Sequence, residues 1–198
     1  AALGERAAEA EASYRALAAQ LSAKRELAAH DLEARVTEVM QHLAMAGGRL
    51  EIALEPLATP ASHGAEQVEF RVASHPKQPL GPLAKVASGG ELARISLAIE
   101  VAALGLDTVP TMIFDEVDSG IGGAVAEVVG QKLRALGRER QVLCVTHLPQ
   151  VAAQGHHHFQ VAKRVNGNGT ESAVLALSEK ERVEELARML GGVDISRE

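Results

Sequence analysis

The sequence predicts an α/β protein: one long helix, then a largely parallel sheet with flanking helices. Three observations carry this. Up to residue 46 there is no Pro and, after Gly4, no Gly, while Ala, Glu, Leu and Arg dominate, all good helix formers. After Gly47-Gly48 the apolar period changes from helical to two. Beyond Ser88, two short, wholly apolar runs alternate with helical stretches, the pattern of parallel strands buried on both faces.

The opening helix carries Leu3, Ala7, Ala10, Tyr14, Leu17 and Leu21 in alternating steps of four and three, a heptad seam. The seam drifts near Lys24 and resumes at Leu32, Val36, Val39 and Leu43. Gly47-Gly48 is a natural stop. At 1.5 Å per residue the helix reaches about 70 Å. It reads either as one strand of a coiled coil whose partner lies elsewhere, or as an amphipathic helix lying on the domain. Its length and its mostly polar circumference favour the coiled coil. The expected division is an arm helix at 1–47 and a lobe at 48–198.

Leu50, Ile52 and Leu54 alternate with Glu51, Ala53 and Glu55, and Val68, Phe70 and Val72 alternate again. This predicts an antiparallel pair, followed by a Pro- and Gly-containing loop at 75–83. Leu92, Ile95, Ile99 and Ala102 predict a helix, Thr111-Met112-Ile113-Phe114 a strand, 123–136 a helix and Val142-Leu143-Cys144-Val145 a strand. A last strand at 159–162 and a helix at 179–190, ending at Gly191-Gly192, complete the expected order.

Composition narrows the class. The chain has 198 residues and is 46% hydrophobic but only 2% aromatic, so a core must be built from Ala, Leu, Val and Ile. A net charge of -6 argues against a nucleic-acid footprint over the whole surface and leaves room for a local basic patch. The single cysteine, Cys144, cannot form an internal disulfide and reads as an inert core residue. No apolar run of about 18 residues occurs, and the first residues lack the basic start and apolar block of a signal peptide. The expectation is a soluble intracellular protein or fragment.

Three short segments carry chemistry. Ser88-Gly89-Gly90-Glu91 opens a helix. Ser88 and Glu91 fit a capping box, but a capping box does not explain two adjacent glycines, which weaken a helix. Bare amides at a helix start, approachable through glycine, suit a phosphate. Asp115-Glu116 sits at the C-terminal edge of an apolar strand, where open α/β sheets bind ligands. Two adjacent acids there favour a positive partner, which Mg²⁺ with a nucleotide would supply. Asp115 would hold the ion, directly or through water, and Glu116 would polarise a water. The bland reading is a pair of solvated loop carboxylates. Val145-Thr146-His147 ends the next apolar strand, so His147 lies beside the acids if the two strands are neighbours.

Taken in this order and spacing, the segments resemble the C-terminal part of an ATP-binding-cassette (ABC) head of the P-loop NTPase class. Ser88-Gly89-Gly90-Glu91 resembles its signature motif, Ile113-Phe114-Asp115-Glu116 the Walker B strand, Asp118-Ser119-Gly120 the D-loop and His147 the switch histidine. Within that class the chain is similar over essentially its whole length to the RecN family of bacterial SMC-like double-strand-break repair ATPases. Pro82-Leu83-Ala84-Lys85-Val86-Ala87-Ser88-Gly89-Gly90-Glu91-Leu92, Phe114-Asp115-Glu116-Val117-Asp118-Ser119-Gly120-Ile121-Gly122-Gly123 and Val145-Thr146-His147-Leu148-Pro149-Gln150-Val151-Ala152 carry this likeness, with Arg182-Val183-Glu184-Glu185 and Ala187-Arg188-Met189-Leu190-Gly191-Gly192. Ala87 stands where many signatures have a larger apolar residue, and Ala93 where a small hydroxylated one is expected.

The resemblance implies two heads closing around two molecules of ATP with Mg²⁺. Asp115, Glu116 and His147 would serve the nucleotide of their own head. Ser88, Gly89 and Gly90 would touch the γ-phosphate held by a second head in a homodimer. It also implies double-stranded DNA as a partner of the full protein, a nucleoid-associated cytoplasmic location and no membrane. No Gly-x-x-x-x-Gly-Lys-Ser/Thr occurs in the sequence. That Walker A loop would come from an N-terminal lobe, without which hydrolysis should be negligible. Two other readings compete: another ABC ATPase, of SMC, Rad50-like or transporter type, and a non-catalytic coiled-coil interaction module. The long helix running into the lobe argues against a transporter, and the paired acids argue against a scaffold. His156-His157-His158 lie in an extended run whose side chains alternate in direction, which converges poorly on a metal. Lys85, Lys163 and Arg164 are candidate contacts to a DNA backbone but read first as solvated surface.

Overall fold

The structure, a computed structural model, describes residues 2–86, 88–104, 109–166 and 169–191. Ala87, Gly192 and the side chain of Arg164 lie outside the described residues. The chain forms two compact units, Ala1–Ala87 and Ser88–Glu198.

In the first unit, α1 (Ala2–Gln41) runs about 60 Å. Its last turn unwinds through residues 42–47, and Gly47 takes a positive φ of 75° to redirect the chain. Strands β1 (Arg49–Ala61), β2 (Gly64–Ala73) and the short β3 (Gly81–Pro82) follow in an antiparallel sheet of order β1-β2-β3. The register pairs Leu50 with Val72 and Ile52 with Phe70, so the predicted alternation places one apolar face inward. Val36, Met40, Leu43, Met45, Leu50, Val72 and Ala73 make a closed core.

The reading of the long helix as an amphipathic helix lying on the domain holds for the part of it that meets the hairpin. Leu3, Leu17 and Leu27 are exposed. Ala18, Ala29, Val36 and Met40 are buried on the face that packs against β1 and β2. The drift near Lys24 is therefore a change of register: small residues, not leucines, line the buried stripe there, because the hairpin approaches closely.

This helix also closes an open sheet edge. Strand β1 is at the end of its sheet, so alternate amides point away from β2. Leu50 N–H donates to Thr37 Oγ1 at 3.1 Å and Ile52 N–H to Glu33 Oε1 at 2.6 Å. Gln41 donates to Gly48 O at 2.9 Å and accepts from Gly47 N–H at 2.6 Å. Glu33, Thr37 and Gln41 recur every four residues, one helical face. Farther up, Tyr14 donates to Ala61 O at 3.0 Å and Arg25 to His63 O at 2.8 Å, clamping the hairpin tip to the helix.

In the second unit, α2 (Gly89–Ala102), β4 (Thr111–Phe114), α3 (Gly123–Leu136) and β5 (Gln141–Cys144) alternate as expected, and a short helix that the sequence pattern did not announce, α4 (Pro149–Ala152), follows. Strands β4 and β5 pair in parallel, Thr111 beside Gln141 through Phe114 beside Cys144. Phe114, Val117, Ile95, Leu97, Ala126, Val129, Leu133 and Leu136 are buried. The buried side of α2 is Gly90, Arg94, Ile95, Leu97, Ala98 and Ala102, whereas Leu92 is exposed.

The last strand is longer than its apolar residues suggest. Strand β6 (Phe159–Asn166) folds back on β7 (Gly169–Ala176) as an antiparallel hairpin, Val161 opposite Val174. Strand β7 contains Gly169, Ser172 and two alanines, which carry little strand signal. Helix α5 (Glu179–Gly191) starts at a capping box: Ser178 N–H donates to Glu181 Oε2 at 2.8 Å, and Glu181 N–H to Ser178 Oγ at 3.5 Å. Glu185 then binds Arg188 through both oxygens at 2.7 Å and accepts from Gln160 of β6 at 2.8 Å. Its carboxyl is held below the ordinary value of 4.5, chiefly by the Arg188 hydrogen bond.

Candidate functional site

The parallel register decides where the chemistry-bearing residues lie. Val145 N–H donates to Phe114 O at 2.9 Å, one step beyond the ends of β4 and β5. The chain therefore leaves β4 and β5 side by side, at the same edge. Asp115, Glu116, Asp118, Ser119, Val145, Thr146 and His147 line one open cleft of about 240 Å³. The neighbour relation that placed His147 beside the acids is the one observed.

Asp115 Oδ1 accepts from Glu116 N–H at 2.9 Å, which folds the turn after β4. Glu116 takes a positive φ of 57°, an uncommon conformation for a residue with a Cβ. The turn swings its carboxylate toward the start of α2. A Cβ on Gly89 would collide with Glu116 Oε2. Gly90 is also confined: a Cβ there would lie 3.0 Å from Ser119 Cβ and from Ser119 O. Close approach of the loop after β4 thus explains Gly90, whereas Gly89 is covered only by the end of a flexible side chain. Ser88 caps the helix, accepting from Glu91 N–H at 3.3 Å.

Two residues with no role read from the sequence hold this arrangement. Arg94, buried on α2, donates to Ser119 O at 2.8 Å. Burial pulls its guanidinium below the ordinary arginine value, and the charge of Glu91 opposes that. A charged residue on the otherwise apolar side of α2 was the available signal. Thr146 is the other: its hydroxyl donates to Asp118 Oδ2 at 2.5 Å and accepts from Leu148 N–H at 3.1 Å. Cys144, one residue inside the strand, has its thiol pushed up to about 12, first by burial and then by the charges of Asp118 and Asp115.

The donor set suits a hard cation only in company. Among the described residues no group of three or more His, Cys, Asp or Glu is placed to hold a metal by itself. One or two carboxylates completed by phosphate oxygens and water are what Mg²⁺ commonly takes. The exposed Asp115 and Glu116 meet that requirement.

The sheet beside the cleft is half covered. Ile113 is 72%, Leu143 43% and Val145 60% exposed, all on one face of β4 and β5. A groove of about 510 Å³ adjoins it, lined by Leu92, Ala93 and Ser96 of α2 and by β4. Among the described residues no helix is long and apolar enough to cross a membrane.

This α/β lobe with a long leading helix has the fold of SMC head domains. The chain superposes on the Smc head with coiled coil and joint from Pyrococcus yayanosii with a TM-score of 0.60, at 23% identity, covering 82% of this chain and 29% of that one. The Smc head with extended coiled coil from Pyrococcus furiosus gives 0.56 at 20% identity, over 83% of this chain and 39% of that one. No protein-family model matches. Within this class the chain belongs to the RecN family. It is 57% identical over 99% of its length to the DNA repair protein RecN of Xylella fastidiosa strain 9a5c and 49% identical over 91% to that of Haemophilus influenzae. It is also 49% identical over 87% to that of Deinococcus radiodurans. It spans about a third of the length of these relatives: 36%, 33% and 30%.

Proposed function

We propose that this chain is the signature-bearing lobe of an SMC-like ATPase head acting in DNA double-strand-break repair, with arm 1–47 and lobe 48–198. The observation that carries the reading is the parallel pairing of β4 and β5, which delivers Asp115, Glu116 and His147 to one open cleft. A second lobe would supply the Walker A loop, and the exposed face of Ile113, Leu143 and Val145 is the surface we assign to it. Parallel sheets are covered on both faces, so an apolar face of this kind needs a cover.

In this reading Asp115 holds Mg²⁺, Glu116 takes a proton from the attacking water and His147 faces the γ-phosphate. Bound Mg²⁺ and ATP supply the charge that two adjacent acids favour and the phosphoryl group to be transferred. Ser88, Gly89 and Gly90, with the amides that open α2 and Glu91 in its first turn, form the surface offered to the ATP of a second head. Glu116 rests against Gly89 in this chain, so its carboxylate must turn away before a phosphate can approach the same glycine. That motion couples engagement of one nucleotide to activation of the other. Double-stranded DNA is the partner of the assembled protein.

The test is turnover by the two lobes together, with and without linear double-stranded DNA. Glu116→Gln should lower kcat by about 10²- to 10⁴-fold while ATP still binds and the heads stay engaged. Normal turnover by this variant would remove Glu116 from the mechanism. No turnover by a stable two-lobe assembly of the parent would leave clamping by ATP, or a scaffold, as the function.

A further inference from the structure

Asp118 is 2% exposed although it lies in a loop at an open cleft. A carboxylate kept from water at that position is costly unless its oxygens are used. One oxygen, Oδ2, gathers the end of β5. It accepts the Thr146 hydroxyl at 2.5 Å and the His147 N–H at 3.1 Å, and His147 Nδ1 lies 3.4 Å from it. The imidazole itself is 70% exposed and would otherwise rotate freely.

We infer that Asp118 is the positioning residue for His147. The two hydrogen bonds fix the backbone from which the ring projects, and Thr146 is oriented for its part by accepting from Leu148 N–H. The third contact draws Nδ1 toward the protein and favours the tautomer with the proton there. Nε2 is then the nitrogen that faces the cleft, as a carboxylate partner commonly arranges for a functional histidine. Asp118 lies two residues beyond Glu116 on the loop that Arg94 ties to α2 through Ser119 O. The same loop therefore carries the water-activating acid and sets the histidine. The inference rests on the reading of His147 as the group facing the γ-phosphate.

The experiment is a double-substitution cycle in the intact two-lobe ATPase. Asp118→Ala should lower kcat by about 10- to 100-fold. The KM for ATP should stay within about threefold, since binding of the nucleotide is not what is lost. On a His147→Ala background, Asp118→Ala should lower kcat no further, because the two act as one unit. Losses that multiply would overturn the assignment. Asp118→Asn keeps an oxygen for Thr146 and the His147 N–H, so it should fold even if Asp118→Ala does not, with a smaller loss of kcat. Nitrogen NMR of histidine-labelled protein separates this inference from its premise. The His147 ring should carry its proton on Nδ1 in the parent and shift toward Nε2–H in Asp118→Ala, and by less in Asp118→Asn. An unchanged tautomer in every variant that folds sinks the role of Asp118. If His147→Ala leaves turnover intact, the catalytic reading of His147 fails, and the tautomer shift still decides Asp118.

Discussion

The arm unit and the motif unit solve the problem of an open sheet in opposite ways. In Ala1–Ala87 the edge of β1 is met by Glu33 and Thr37, the turn before it by Gln41, and the apolar face by Val36 and Met40. In Ser88–Glu198 the sheet that bears the cleft leaves Ile113, Leu143 and Val145 facing solvent. One helix of the same chain satisfies the first sheet. The second has a covered face that positions Phe114 and Val117, and a bare face beside its chemistry. Packing that is already satisfied makes a rigid support. Packing left open, in the reading proposed above, is where a second lobe would complete the site.

Four measurements break or sharpen this contrast. Met40→Ala, at a fully buried position, should destabilise the arm unit by about 2–5 kcal/mol, read by denaturant unfolding. A loss below about 1 kcal/mol would mean that the arm helix does not depend on the hairpin. Glu33→Ala removes the acceptor of Ile52 N–H and should cost about 1–3 kcal/mol by the same assay. An unchanged midpoint would show that water replaces the carboxylate and that the edge is not closed by the helix. Ile113→Asp should change the stability of this chain by less than about 1 kcal/mol, because the residue is exposed. It should nevertheless weaken association with the proposed second lobe by more than about tenfold, since an unpaired charge would be buried there. Unimpaired association would place that lobe elsewhere.

The smallest expected effect is on pH dependence. Glu185 has its folded pKa depressed, mainly by Arg188. Its contribution to stability is therefore present above the ordinary glutamate value of 4.5 and is lost as pH falls through the lower folded value. Glu185→Gln should flatten the acid limb of a thermal-melt profile in that window. An identical acid limb would show that the Glu185–Arg188 pair is not maintained in solution.

Much of the site was legible because its signals are local. Ser88 before two glycines, two acids ending an apolar strand and a histidine ending the next are each written in consecutive residues, and short apolar runs reveal strands wherever they fall. The strand pair at residues 50–72 was legible for the same reason. Strand β7 was not, since Gly169, Ser172, Ala173 and Ala176 dilute the signal of Val174 and Leu175, and its pairing with β6 supplies the strand geometry. The small-residue stripe of α1 at Ala18 and Ala29 escaped a count of leucines, because alanine is chosen there for closeness rather than for apolar area.

By itself, the sequence determined the order of the main helices and strands from α1 to β5, the capped start of α2 and the residue types that chemistry needs, all properties of short segments. Tertiary structure alone decided that β4 and β5 are parallel neighbours, that the Glu116 carboxylate lies over Gly89, and that a buried aspartate reaches across to His147. These facts join residues far apart in the chain. No local preference specifies such pairings; they follow from which surfaces are buried together.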